Sequence, residues 1–170
     1  MKISILLPYK ENFSPSYPGA VSLFVKDTAA LSKYKKDIVV YGNTNFKKKY
    51  PIKYHNISLS EFRFKSKSKQ YVEKFIVNEK NNPSDLIEVH NRPNYLADIV
   101  RSLGKKNLVL YFHNDPLTML GSKSISERKS LLKICYKIIF NSNWSKKRFL
   151  ESMNSDAINS EKLIVIHQSA

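Results

Sequence analysis

Two histidines stand at the ends of apolar runs, and the same pattern surrounds both. In LVLYFHNDPLTML (108–120) five apolar or aromatic residues lead into His113, which is followed by Asn114, Asp115 and Pro116, residue types that stop a strand. In DLIEVHNRPNY (85–95) a second apolar-rich run ends on His90, followed by Asn91, Arg92 and Pro93. An imidazole both donates and accepts hydrogen bonds and changes charge near neutral pH. A strand that carries one to its carboxyl end therefore sets an acid–base group at the edge where parallel sheets bind ligands. The plainer alternative is that each histidine caps its strand by bonding a loop carbonyl. Asp115 or Glu88 could complete a metal site with the two histidines. However, Glu88 lies deeper on the same strand face as His90, and no His-x-x-x-His or cysteine spacing supports a metal. No metal or other cofactor is expected.

A third feature is SPSYPGAVSLF (14–24), where Pro18, Gly19 and Ala20 lead from a polar loop into a helical pattern. Backbone N–H groups at a helix N-terminus form an anion site, and glycine permits close approach. Gly19 could equally be a plain turn glycine, and no G-x-G-x-x-G fingerprint is present.

The elements that position these residues alternate. Apolar runs predict strands over 2–8, 37–42, 52–57, 85–90, 107–113, 137–142 and 162–167. Between them, Val21, Phe24, Val25, Thr28, Ala29 and Leu31 follow a helix face, and helices are predicted over 66–80, 93–104, 124–136 and 142–153. The third starts at Pro93 and stops on Gly104, and the fourth opens with a Ser124–Glu127 capping box. Continuously apolar strands alternating with helices predict an α/β domain with a mostly parallel sheet of six or seven strands, covered on both faces. All its strands end on one edge, which brings His90, His113 and the loop after the first strand together. Ser142 and Asn143, at the end of the sixth strand, reach the same edge, with Trp144 behind them expected to pack inward.

The chain of 170 residues, 42% of them hydrophobic, suits one compact domain. No apolar run approaches the roughly 20 residues of a membrane-spanning helix. A single cysteine, Cys135, excludes an internal disulfide and suits a reducing, cytoplasmic setting. The net charge of +15 invites an anionic partner, but only five of the 29 basic residues are arginine, the residue that grips phosphate and reads bases. A lysine-rich, AT-biased coding sequence explains such a charge equally well.

In order and spacing these features resemble the N-terminal, acceptor-side domain of a family 4 glycosyltransferase with the GT-B fold. KISILLPYKENFSPSYPGAVSLFVKDTAALSK is similar to the family's opening segment, with Pro18-Gly19 in place of Gly-Gly. DLIEVHNRP, LVLYFHNDP, YKIIFNSNWSKKRFL and EKLIVIHQSA stand where the family's later motifs stand, although His167-Gln168-Ser169 replaces the final Asn-Gly. The resemblance covers almost all 170 residues and implies a Rossmann-like, doubly wound fold, one half of GT-B. The family's second domain, which binds the nucleotide sugar, has no counterpart in these residues, and the chain alone is expected to be inactive.

What the resemblance implies is transfer of a sugar from a nucleotide-sugar donor to a glycan or lipid-linked glycan, with retention at the anomeric carbon. On this chain Pro18, Gly19 and Ala20 would form the donor-phosphate loop, and His113 would act at the reacting centre. His90, Asn91, Arg92, Asn114, Asp115, Ser142 and Asn143 would line the acceptor side. A lipid-linked acceptor implies peripheral contact with the anionic inner membrane face through Lys47-Lys48-Lys49, Lys65-Lys67-Lys69 and Lys146-Lys147-Arg148. The face left by the second domain would favour self-association. The alternatives are a non-enzymatic basic α/β module that binds nucleic acid or an anionic surface, and a nucleotide-binding regulatory domain. The aromatics are dispersed rather than gathered into a stacking platform, so nucleic acid is not expected.

Overall fold

The computed structural model describes residues 1–61, 65–104, 107–158 and 160–167. Seven strands form one sheet: β1 (Ile3–Leu6), β2 (Ile38–Gly42), β3 (Tyr54–Asn56), β4 (Leu86–His90), β5 (Asn107–Phe112), β6 (Lys137–Phe140) and β7 (Leu163–Val165). Their order is β3-β2-β1-β4-β5-β6-β7, and every pairing is parallel. The helices are α1 (Ala20–Leu31), α2 (Lys67–Asn81), α3 (Tyr95–Leu103), α4 (Ile125–Ile134), α5 (Asn143–Leu150) and the short α6 (Ser155–Ile158). The architecture is α/β and Rossmann-like, and its strand order reverses between β1 and β4.

Connection handedness explains how the helices divide. Right-handed crossovers place helices on one face when the chain steps outward from β1 through β2, and on the opposite face when it steps from β3 to β4 and on to β7. The first group holds α1, because β2 and β3 are joined without a helix. Val21, Val25 and Ala29 of α1 pack on Ile3, Ile5, Ile38 and Val40. The opposite face carries the larger core, where Tyr71 and Phe75 of α2, Leu96 and Ile99 of α3, Leu131 of α4 and Phe149 of α5 cover Val89, Leu110, Phe112 and Phe140.

Both faces are covered as expected, the α1 face less completely. Over β4 to β7, Glu88 and Ile139 remain only half-buried on the α1 side. Leu31, assigned to the buried face of its helix, is 89% exposed.

Local signals decide several boundaries. The Ser124–Glu127 capping box forms as expected, with each side chain bonding the other residue's backbone. Ser66 caps α2 by accepting from Lys69 N–H. The helix predicted from Pro93 begins at Tyr95, with Asn94 as its N-cap. The helix predicted to run to residue 153 stops at Leu150. There Ser152 takes a positive φ of 62° and Met153 turns into the core. Arg128 closes this helix end from below, donating from Nη1 to the carbonyls of Arg148 and Phe149.

Candidate functional site

β4 ends on His90, and β5 ends one residue before His113. The two strands pair in parallel with His90 opposite Tyr111, so both imidazoles reach the carboxyl edge on the α1 face. His90 Nδ1 lies 2.7 Å from His113 Nε2. His90 Nε2 lies 2.7 Å from Glu88 Oε1, two residues back on the same side of the strand. His90 thus bonds His113 and a carboxylate rather than a loop carbonyl. Tyr111 stacks on His90 at 5.3 Å and on His113 at 4.6 Å, and Phe24 of α1 meets His113 edge-on at 5.1 Å. Burial, with Glu88 nearby, pushes the Tyr111 phenol up to about 12, so it stays neutral.

The backbone around His113 is fixed by two amide side chains. Asn91, buried and held at a φ of 51°, accepts from His113 N–H at 2.8 Å. Asn141 donates to the His113 carbonyl at 2.7 Å. A positive φ is tolerated by asparagine far better than by branched residues, and it lets Asn91 turn its side chain back toward β5.

Between the ends of β1, β4 and β5 and the start of α1 lies a cleft of about 290 Å³, lined by Pro8, Glu11, Ala20, Val21, Asn91, Arg92, His113 and Asn114. It sits at the reversal of strand order, where open α/β sheets bind ligands. Its rim mixes a carboxylate, amides, a guanidinium and an imidazole, offering hydrogen-bond donors and acceptors together.

The start of α1 holds a residue that sequence reading missed. Gly19 is its N-cap and has no side chain to offer, and Glu11 takes that role. The Glu11 carboxylate accepts from the backbone N–H of Ser22 at 3.0 Å and from its hydroxyl at 3.1 Å. A Cβ on Gly19 would lie 1.8 Å from Glu11 Oε1, so the glycine makes room for the carboxylate. One of the N–H groups expected to be offered to a phosphate is thus already bonded within the chain.

Of the residues singled out from the sequence, Ala20, Asn91, Arg92, His113 and Asn114 line the cleft, His90 stands behind His113, and Gly19 shapes its wall. Pro18 precedes it in the loop. Asp115 is turned to other work: it caps the turn at Pro116–Thr118 by accepting from Leu117 N–H and pairs with Arg148 at 3.2 Å. Ser142 caps α5 by accepting from Ser145 N–H. Asn143 lies with Trp144 on the outer side of α5. Trp144, expected to pack inward, is 57% exposed, with the Arg148 guanidinium 5.9 Å from its ring centre. Gln168 and Ser169 lie outside the described residues. Among the described residues no group of three or more His, Cys, Asp or Glu is placed to hold a metal ion.

Sequence reading also missed the parts played by Glu88, Tyr111, Phe24 and Asn141. For Glu88 a signal existed, since residues two apart on a strand share a face. For Glu11, eight residues before Gly19 across an irregular loop, no periodicity was available.

No protein-family profile matches the sequence, and no curated protein matches it either. Solved structures do. Anabaena HepE in complex with UDP and glucose matches over 100% of this chain at 17% identity and a TM-score of 0.65, and HepE in complex with UDP matches at 19% and 0.63. A glycosyltransferase from Rickettsia africae matches over 99% of this chain at 15% identity and a TM-score of 0.58. The chain spans 45%, 44% and 43% of those three chains. At these identities the likeness establishes the fold.

Proposed function

We propose that the chain is the acceptor-side half of a retaining, family 4-type GT-B glycosyltransferase, which moves a sugar from a nucleotide-sugar donor to a glycan or lipid-linked acceptor. The observation that carries this reading is the cleft at the β1–β4 reversal. It joins Glu11, Asn91, Arg92, His113 and Asn114 on a fold shared with a protein captured with UDP and glucose. Vicinal hydroxyls need acceptors and donors side by side, and the carboxylate, amides and imidazole supply both. At about 290 Å³ the cleft lies at the small end of the range for ligand pockets, which suits one wall of a site completed by a second domain.

In this reading Arg92 faces the charged part of the donor and His113 contacts the sugar near the reacting centre. Asn91 holds His113 in place, and Asn114 faces the acceptor. The rate would come from holding both substrates and from stabilising the departing diphosphate. The Ala20 end of α1 reaches that diphosphate once Glu11 yields the Ser22 N–H. Lys47, Lys48 and Lys147 are exposed, and they support contact with an anionic membrane surface.

The test is equilibrium binding of UDP-sugars to the purified chain and to His113→Ala and Arg92→Ala. Weak binding that falls about tenfold in each variant supports the reading, a loss of about 1.4 kcal/mol. Equal affinity in all three proteins removes the cleft from the account. Sugar transfer by the 170-residue chain alone would contradict the half-site.

A further inference from the structure

We propose that α5 and α6 form a membrane-docking face, with Trp144 as its anchor in the headgroup layer of an anionic bilayer. The proposal gives a place to the membrane contact of the reading above and rests on it. The outer side of α5 opens into a groove of about 660 Å³, whose apolar walls are Trp144, Leu150 and Ile158. Trp144 is 57% exposed and Ile158 51%, and with the half-buried Leu150 they gather apolar surface in one place, the mark of an interaction site rather than of scattered surface residues. The buried side of α5 is carried by Ser145 and Phe149, so Trp144 points away from the core. Around it stand Lys146, Lys147 and Arg148, against one lining carboxylate, Glu151. Glu151 is already paired with Arg148, and Asp115 holds the same guanidinium at 3.2 Å. Lys147 is exposed, and Lys146 is steadied by the Leu163 carbonyl at 3.2 Å. An indole has an apolar body and one N–H donor, and ringed by lysines it matches the layer where hydrocarbon meets anionic phosphate. A nucleic acid is gripped best by an open arginine fork, and here Arg148 is spent on two carboxylates.

The position of this face gives docking a consequence. α5 starts from the carboxyl end of β6, the strand next to β5, and neighbouring strands lie about 4.8 Å apart. Asn141, which donates to the His113 carbonyl, directly precedes Ser142, the cap of α5. A bilayer that holds Trp144 therefore sets the cleft edge close to the headgroups, where a lipid-linked acceptor presents its sugar. The chain has a second aromatic and basic patch, Tyr17 stacked on Phe46 at 6.3 Å, with Lys47 and Lys48 exposed next in sequence. Phe46 follows β2, toward the opposite end of the sheet from β6 and β7. The two patches make different predictions, because the chain's single tryptophan lies in only one of them.

The experiment uses that tryptophan as its probe. The full chain is mixed with vesicles of phosphatidylcholine, alone or with phosphatidylglycerol added, and its fluorescence is followed while pelleting measures binding. With the anionic vesicles Trp144 emission should shift to the blue, and lipids brominated near the headgroup end of their chains should quench it. Lys147→Ala should lower the affinity about fivefold, and Trp144→Ala about tenfold, each with an unchanged circular dichroism spectrum. If Trp144→Ala does not fold, the emission of the wild-type chain decides. Pelleting with Trp144 emission unchanged puts the contact elsewhere, as at Tyr17 and Phe46, and overturns the proposal. Absence of binding to anionic vesicles at low salt overturns it as well. The same blue shift with inorganic phosphate or a single-stranded oligonucleotide, without vesicles, overturns it in favour of a soluble anion. UDP-sugar binding, measured without vesicles, tests the cleft separately: its absence while Trp144 is quenched by lipid defeats the sugar-transfer reading and leaves the docking face.

Discussion

The pairing of Gly19 with Glu11 makes a prediction with an unusual sign. Glu11 supplies the cap that Gly19 lacks, and the loss of such a cap costs about 1 kcal/mol, with a further 0.3–1 kcal/mol from the helix dipole. Glu11→Ala should therefore destabilise by about 1–2 kcal/mol. Gly19→Ala should be destabilising too, because the new Cβ meets Glu11 Oε1 at 1.8 Å and turns that side chain away from Ser22. Yet the Gly19 backbone, at φ −82° and ψ 156°, is one alanine adopts freely. Removing a glycine from such a position gains about 0.4–1 kcal/mol by restricting the unfolded chain. Gly19→Ala alone should thus lose a net 0.5–1 kcal/mol or so, and in the Glu11→Ala background it should instead stabilise by about 0.4–1 kcal/mol. Urea unfolding followed by circular dichroism measures all four proteins. For a chain of this length each kcal/mol corresponds to about 2–4 °C in Tm. Equal effects of Gly19→Ala in both backgrounds would refute the steric reasoning.

Three further outcomes follow from the structure. Burial pushes Cys135 and Tyr111 each up to about 12, from 9.0 and 10.0. The unfolded chain therefore loses these protons first, and stability should fall between pH 9 and 12, a fall that Cys135→Ala lessens in the lower part of the window. Replacing the buried Arg128 by alanine leaves the Phe149 carbonyl without its donor, while the Arg148 carbonyl keeps its bond from Glu151 N–H, and should cost about 1–3 kcal/mol in urea, whereas Arg101→Ala, with a side chain 76% exposed, should cost under about 0.5 kcal/mol. The lysine clusters should pellet the chain with anionic vesicles at low salt and release it at high salt, and equal pelleting with neutral vesicles would remove the membrane contact.

Much of the fold could be read from the chain because the inner strands are buried on both faces. Runs such as LVLYF and IVVYG have no polar face to confuse with a helix. The pairing of His90 with His113 followed from strand ends on a common edge. What escaped were facts that depend on where elements meet. The exposure of Leu31 arises because α1 lies alone on its face among the described residues, a result of connection handedness rather than of local pattern. Trp144 looked like core by residue type, but the buried side of α5 is carried by Ser145 and Phe149. Asp115 carries the chemistry of a site residue, yet Arg148, thirty-three residues later, claims it. Glu88 shared a face with His90 in the sequence as in the structure, and only the distance showed it to be a hydrogen-bond partner.

The most direct test of the central claim is a residue-resolved amide spectrum of the chain titrated with UDP-glucose, UDP, glucose and inorganic pyrophosphate. The account predicts weak, fast-exchange shifts at Ala20, Val21, Asn91, Arg92, His113 and Asn114, larger for UDP-glucose than for pyrophosphate. Shifts confined to the lysine-rich surface and equal for both ligands, or no shift in the cleft at saturating ligand, would contradict it.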